Sequence, residues 1–241
     1  MRPVSDFANE SVERDISMDD AKCPSKITAY EGTIMQRAYL KPSNLKMAQE
    51  ILDWTTEVLD VEHPELPNSG KSTCPFVAPS KKEDCFYLAF HEGCSQYHEI
   101  EQVLLEYIKE FPRISPYKHI NKCLLAVFPD VKKVDYPIIK RIQVDVRLRF
   151  AESNMMLGPF YPRSRSKSAY GGRAKLFDAP YPFFAIRQMA IHDILFMSDD
   201  PASFDIYNRR YGARFRSKKL SGDEAKYRER YFKILDRFAS R

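Results

Sequence analysis

No apolar run in the sequence approaches the roughly 18–20 residues that a helix needs to span a bilayer. Tryptophan occurs once, histidine five times and glycine eight times in 241 residues. The scarcity of glycine and histidine shows in the motifs. The dinucleotide fingerprint GxGxxG, the P-loop pattern, the hydrolase elbow GxSxG, the zinc-protease pattern HExxH and the CxxC pair are all missing. The usual signals of nucleotide, hydrolase and zinc-protease chemistry go with them. The opening stretch MRPVSDFANESVERDISMDD is acidic and has no apolar core, so a secretory signal is not expected. Five cysteines make an odd count without paired spacing, which predicts reduced thiols and a cytoplasmic protein.

What is present suffices for a core: 44% hydrophobic and 13% aromatic residues. The net charge of +5 is unevenly spread. Residues 209–241 hold twelve Lys/Arg and four Asp/Glu, a local +8 that leaves −3 for the rest. Such a tail suits an acidic partner or a solvated helix face. It lacks the glycine and aromatic interleaving of a nucleic-acid module, so nucleic acid is not an expected partner.

The pattern divides into an acidic, flexible leader (1–40), a core domain (41–212) and a basic C-terminal helix (213–241). Helices are expected from Ser43, around Ile100–Phe111, over 134–150, after Asp200-Pro201 and from a capping box at Ser221–Glu224. Strands are expected at 84–92, 122–129, 154–160 and 181–188. This order predicts an α+β fold: a single-domain sandwich with a small central sheet flanked by helices. The last helix carries Tyr227, Tyr231, Ile234, Leu235 and Phe238 on one face, which predicts docking on the core or on a second copy of the chain. The long Ser/Gly/Arg-rich loop after Phe160 and this basic helix are the candidate binding surfaces.

Four constellations carry chemistry. In HPELPNSGKSTCPF, residues 63–76, His63 and Cys74 bracket a proline-rich loop as potential ligands, or close a rigid loop in which Cys74 is a small buried hydrophobe. His91, Cys94 and His98 could converge as a zinc corner, though their spacing fits no common finger and strand-end exposure is the alternative. His192 precedes Asp193, which could orient the imidazole; a histidine at a helix start is the plainer reading. Arg187 lies inside an apolar strand and needs a partner, with Asp178 the internal candidate and an anionic ligand the alternative.

Three blocks, LDWTTEVLDVEHPELPNSGKSTCPFVAP, NMMLGPFYP and YPFFAIRQMAIHDILFMSDDPASFDIYNRRYG, resemble the uncharacterised DUF6875 family over roughly residues 45–212. The family pattern has histidine where Tyr161 and Gln188 stand here, a departure that touches any chemistry those histidines serve. The Cys-Pro element with an upstream histidine is also similar, more distantly, to the YqcI/YcgG family of haem-containing N-oxygenases. That second likeness implies a haem-dependent oxidoreductase or monooxygenase acting on a small amino-acid-like or anionic substrate, with a redox partner. It implies His63 as axial ligand of the haem iron and Cys74 beside it. Arg187 would meet a propionate or the substrate, and Arg163, Arg165 and Tyr161 would contact substrate. Phe76, Phe86, Tyr87 and Phe90 could line a wall, since a haem needs an axial ligand, apolar walls and cations for its propionates. The second expectation is a non-enzymatic ligand-binding or interaction protein.

Overall fold

The computed structural model describes residues 30–31, 42–63, 72–114, 119–166, 168, 174–220 and 222–240. They form an α+β domain around one mixed sheet. Its strands are β1 (Tyr30–Glu31), β2 (Phe86–Phe90), β3 (Cys123–Val127), β4 (Met155–Phe160) and β5 (Phe183–Gln188), in the order β1-β2-β3-β5-β4. β2 and β3 run parallel, and the other neighbours are antiparallel. The parallel pair is connected through helix α3 (Tyr97–Glu110), as a parallel crossover requires. β2 and β3 are buried at every position, which is why their sequences, FYLAF and CLLAV, show no polar alternation.

Side chains alternate across the sheet, and each set meets a different layer. Tyr87, Leu124, Ala126, Phe184, Ile186, Met155 and Leu157 face α3 and α4 (Pro137–Glu152), which close over them with Ile100, Val103, Leu104, Ile139, Ile142 and Val146. α3 starts at a capping box in which the Glu99 carboxylate accepts the Ser95 and Gln96 N–H groups, both at 2.9 Å. At its far end the fully buried Lys122 ammonium donates to the Phe111 and Ile114 carbonyls at 2.8 and 2.7 Å. A cation there satisfies carbonyls that the helix itself leaves open.

The opposite face is covered differently. α1 (Pro42–Trp54) lays Ala48 and Ile51 over Phe86, Leu88, Phe90, Leu125 and Val127. A π-helical turn (Thr55–Leu59) and the short α2 (Val77–Lys82) stand beside it. Toward β4 the described residues leave this face as the lining of a groove.

α5 (Pro201–Arg216) begins where Asp200 accepts the Ser203 N–H at 2.9 Å with Pro201 behind it, as the Asp-Pro pair leads one to expect. α6 (Gly222–Ala239) buries Tyr227, Tyr231 and Ile234 against Phe204, Tyr207 and Phe215. Tyr231 stacks on Phe215 at 4.6 Å and donates to Asn208 Oδ1 at 2.5 Å. Gly212 permits this approach, because a Cβ there would meet the Tyr231 hydroxyl at 2.8 Å. Of the leader expected over 1–40, only Tyr30–Glu31 falls among the described residues, and it is a strand paired with β2. Ser221, expected to cap α6, lies outside them. No helix among the described residues is long and apolar enough to cross a membrane.

Candidate functional site

The open part of the sheet face is the floor of a groove of about 910 Å³. Cys123, Leu125, Gly158 and Ala185 form the floor, and the small size of three of them leaves the depth. Its walls are aromatic: Trp54 meets Phe160 and Phe183 edge-on at 5.7 and 5.9 Å, and Phe160 stacks on Phe183 at 5.0 Å. The π-turn brings Thr55 and Leu59 to the same wall, whereas Ser166, Ser168, Leu176 and Phe177 come from the two ends of the long loop after β4.

Arg187 on β5 is the largely buried cation of the groove, its side chain 15% exposed. It pairs in register with Cys123 and Met156 on the neighbouring strands, which fixes its side chain to the groove face. One guanidinium nitrogen donates to Asp193 Oδ2 at 2.8 Å and to the Gln188 carbonyl at 2.9 Å; the other donates to Asp193 Oδ1 at 2.5 Å. The guanidinium also lies 3.9 Å from the centre of the Phe76 ring. Burial works against its charge, and Asp193 more than offsets this, so the pKa rises above the ordinary arginine value. The partner is therefore Asp193, not Asp178. A 3₁₀ turn (Ile191–Leu195) after β5 folds the carboxylate back, and Asp193 also accepts the Ala190 N–H at 2.7 Å. Asp178 instead accepts the Arg163 N–H at 2.6 Å. The signal that Arg187 needs a carboxylate is in the sequence; the tight turn that brings Asp193 to it is not.

Two thiols flank this pair. Burial pushes the Cys74 thiol up, against the Phe76 and Val77 N–H groups and the Arg187 charge, and burial pushes Cys123 up to about 12. Both are neutral thiols near pH 7, which argues against a ready nucleophile. His192 lines the groove with its ring 5.1 Å from that of Phe76. At the rim stand Lys140 and Arg147 of α4 and Lys226 and Arg230 of α6, against Asp199. Arg147 is paired with Asp200 at 2.8 Å, so Lys140, Lys226 and Arg230 supply the excess positive charge.

His63 and Cys74 stay apart. The ends of their loop are stitched by Cys74 N–H to Leu59 O and Thr73 N–H to Val61 O, both 2.8 Å. Cys74 opens on the groove, but His63 lines a separate, shallower recess of about 460 Å³ with Val58, Val61 and Lys175. Trp54 and Leu176 line both spaces. Residues 64–71 between them lie outside the described residues. Arg163 and Arg165 are exposed and do not line the groove, and Tyr161 packs on the α3/α4 side. Of the aromatic wall expected for a haem, Phe76 and Phe86 line the groove, Phe90 packs under α1, and Tyr87 points to the other face.

The zinc corner is not formed. His91 is buried, stacked on Phe128 at 5.1 Å and bonded through Nε2 to the Tyr107 hydroxyl at 2.9 Å. His98 is on the surface beside Glu101, at 3.8 Å. Cys94 is disulfide-bonded, which corrects the expectation of five reduced thiols, whereas Cys74, Cys85 and Cys123 are free.

The family model for a domain of unknown function, DUF6875, matches residues 48–221. The chain belongs to the DUF6875 family. The match spans strands β2 to β5, Arg187 and Asp193, leaves β1 outside and stops as α6 begins, so the rim residues Lys226 and Arg230 lie beyond it. DUF6875 membership lends no support to the likeness to the YqcI/YcgG proteins. No curated protein and no solved structure matches the chain.

Proposed function

We propose that this DUF6875 protein binds a small molecule with an apolar body and an anionic group in the groove over the open sheet face. The observation behind the proposal is the division of the lining: aromatic walls and a small-residue floor inside, with Lys140, Lys226 and Arg230 in excess at the rim. An apolar body gains from burial against the walls, by about 25 cal/mol per Å². The anion stays near the rim, where cations meet it without full desolvation. Arg187 is already paired with Asp193, so in this reading it holds the fold of the site rather than the anion. The test is thermal unfolding with paired ligands that differ only in charge, such as an aromatic carboxylate and its amide. The carboxylate should raise the melting temperature and the amide should do so much less. Equal shifts, or none across a broad series, reject the reading.

A haem-dependent oxidoreductase is the second reading, favoured by an imidazole and a thiol, His192 and Cys74, on one aromatic groove. A haem is itself an apolar body bearing carboxylates. In this groove His192 would be the residue to hold the haem iron, since His63 opens elsewhere. Haemin added to the protein should give a sharp Soret band that is lost in His192→Ala and kept in His63→Ala. No haem uptake by the folded protein removes this reading and leaves the first intact.

A further inference from the structure

On the sheet face opposite the groove, three metal-ligand side chains converge at the N-terminal ends of β2 and β3. Their potential ligand atoms, from Glu83, Cys85 and His119, all lie within 4.8 Å of one another. Cys85 ends the turn after α2, one residue before β2, and its carbonyl accepts the Cys123 N–H at 2.9 Å, which locks it to the start of β3. His119 and Asn121 come from the segment that leads into β3. The Cys85 Sγ is 3.7 Å from His119 Nδ1, and the ring's other nitrogen, Nε2, is 3.3 Å from Glu83 Oε2. The same carboxylate oxygen accepts from Asn121 Nδ2 at 2.9 Å. A chain of contacts thus runs from thiol to imidazole to carboxylate to amide.

We propose that this cluster binds a thiophilic divalent cation of the zinc class, with Cys85 Sγ and His119 Nδ1 as anchoring ligands. With metal–sulfur and metal–nitrogen bonds of about 2.3 and 2.05 Å at a tetrahedral angle, the two ligand atoms stand about 3.6 Å apart. The observed 3.7 Å separation, which an S–H···N contact spans, is close to that spacing, so an ion can replace the thiol proton with little movement. Glu83 on the second ring nitrogen is the carboxylate that metal-bound histidines commonly carry, fixing tautomer and ring orientation, and Asn121 orients Glu83 in turn. Water, admitted past the part-exposed His119 and Glu83, completes the shell.

The same three residue types also make up a thiol–imidazole–carboxylate triad for nucleophilic attack. Burial decides between them. Cys85 is 0% exposed, which prevents its thiol from reaching a substrate carbon, whereas His119 and Glu83 are part-exposed at 35% and 40% and admit an ion from solvent. The exchange balances simply: the thiol loses its proton to solvent, the ion takes its place between sulfur and nitrogen, and no electron moves.

Cobalt(II) is the probe, added to the full chain. The expected result is one cobalt per chain, a thiolate-to-cobalt charge-transfer band, and one proton released per ion in weak buffer. Cys85→Ser should remove the band although Cys74 and Cys123 remain free. His119→Gln, a part-exposed change that leaves the core intact, should remove it as well. Glu83→Gln should weaken binding about 10–100-fold, the usual effect of losing an orienting carboxylate. A wild-type chain without the band, or a band that survives in folded His119→Gln, overturns the proposal.

Discussion

Arg187 shows how far a single residue can be read. A charge in an apolar strand demands a counter-charge, and the bidentate pair with the fully buried Asp193 supplies it. Which carboxylate answers depends on a tight turn, and residue types alone pointed to Asp178 instead. Removing one partner of a buried pair strands the other charge, so Asp193→Ala should cost about 3–5 kcal/mol in urea unfolding, whereas replacing both members with apolar residues should cost far less. His91 gives a pH signature. Burial lowers its pKa to about 4, below the ordinary 6.5. Between those values the unfolded chain holds the proton that the folded chain refuses, so stability falls as pH drops from about 6.5 toward 4. The loss is on the order of 3 kcal/mol. Melting curves at pH 7 and 4.5 should diverge less for His91→Gln, which can still bond Tyr107, than for the wild-type chain; an equal divergence would assign the acid sensitivity to other groups.

At the scale of elements, long periodic segments were legible and short ones were not. α3 and α4 follow from their apolar spacing, and β2 to β5 from short aromatic or β-branched runs between turns. α2 escaped because six residues, VAPSKK, are too few to show a period and include a proline. The π-turn Thr55–Leu59 reads in sequence as the last turn of α1, yet its wider winding is what brings Thr55 and Leu59 to the groove. The apolar stripe of α6 is fully legible, but its seat is not: that depends on Gly212, which lets Tyr231 reach Asn208. Tyr231→Ala should cost about 3–5 kcal/mol, as large aromatic truncations in cores do. Truncation after Gly222 removes Tyr227, Tyr231 and Ile234 together and should leave an aggregating or unfolded chain in a thermal melt. Lys226→Glu with Arg230→Glu changes only exposed positions and should melt like the wild type.

For the whole molecule, the α+β sandwich was readable from element order, and the groove was not. A groove belongs to no segment. It arises because α1 covers one half of a sheet face and α6 rims the other half, bringing together residues from Trp54 to Arg230. Cys74, Arg187 and the basic charge of the last helix were legible in the sequence, but nothing in it joins them. Trp54, the only tryptophan, stands on the groove wall and reports on its contents. The most direct measurement of the central claim is therefore titration of the chain with two fluorescent probes, anionic anilinonaphthalene sulfonate and its neutral counterpart phenylnaphthylamine, followed through quenching of Trp54. The groove should bind one sulfonate per chain and quench Trp54. The Lys226→Glu, Arg230→Glu variant should bind the sulfonate at least about tenfold more weakly, a loss of about 1.4 kcal/mol, with binding of the neutral probe unchanged. Equal binding of the two probes, or a sulfonate affinity that survives charge reversal at the rim, would contradict an anion-selective groove.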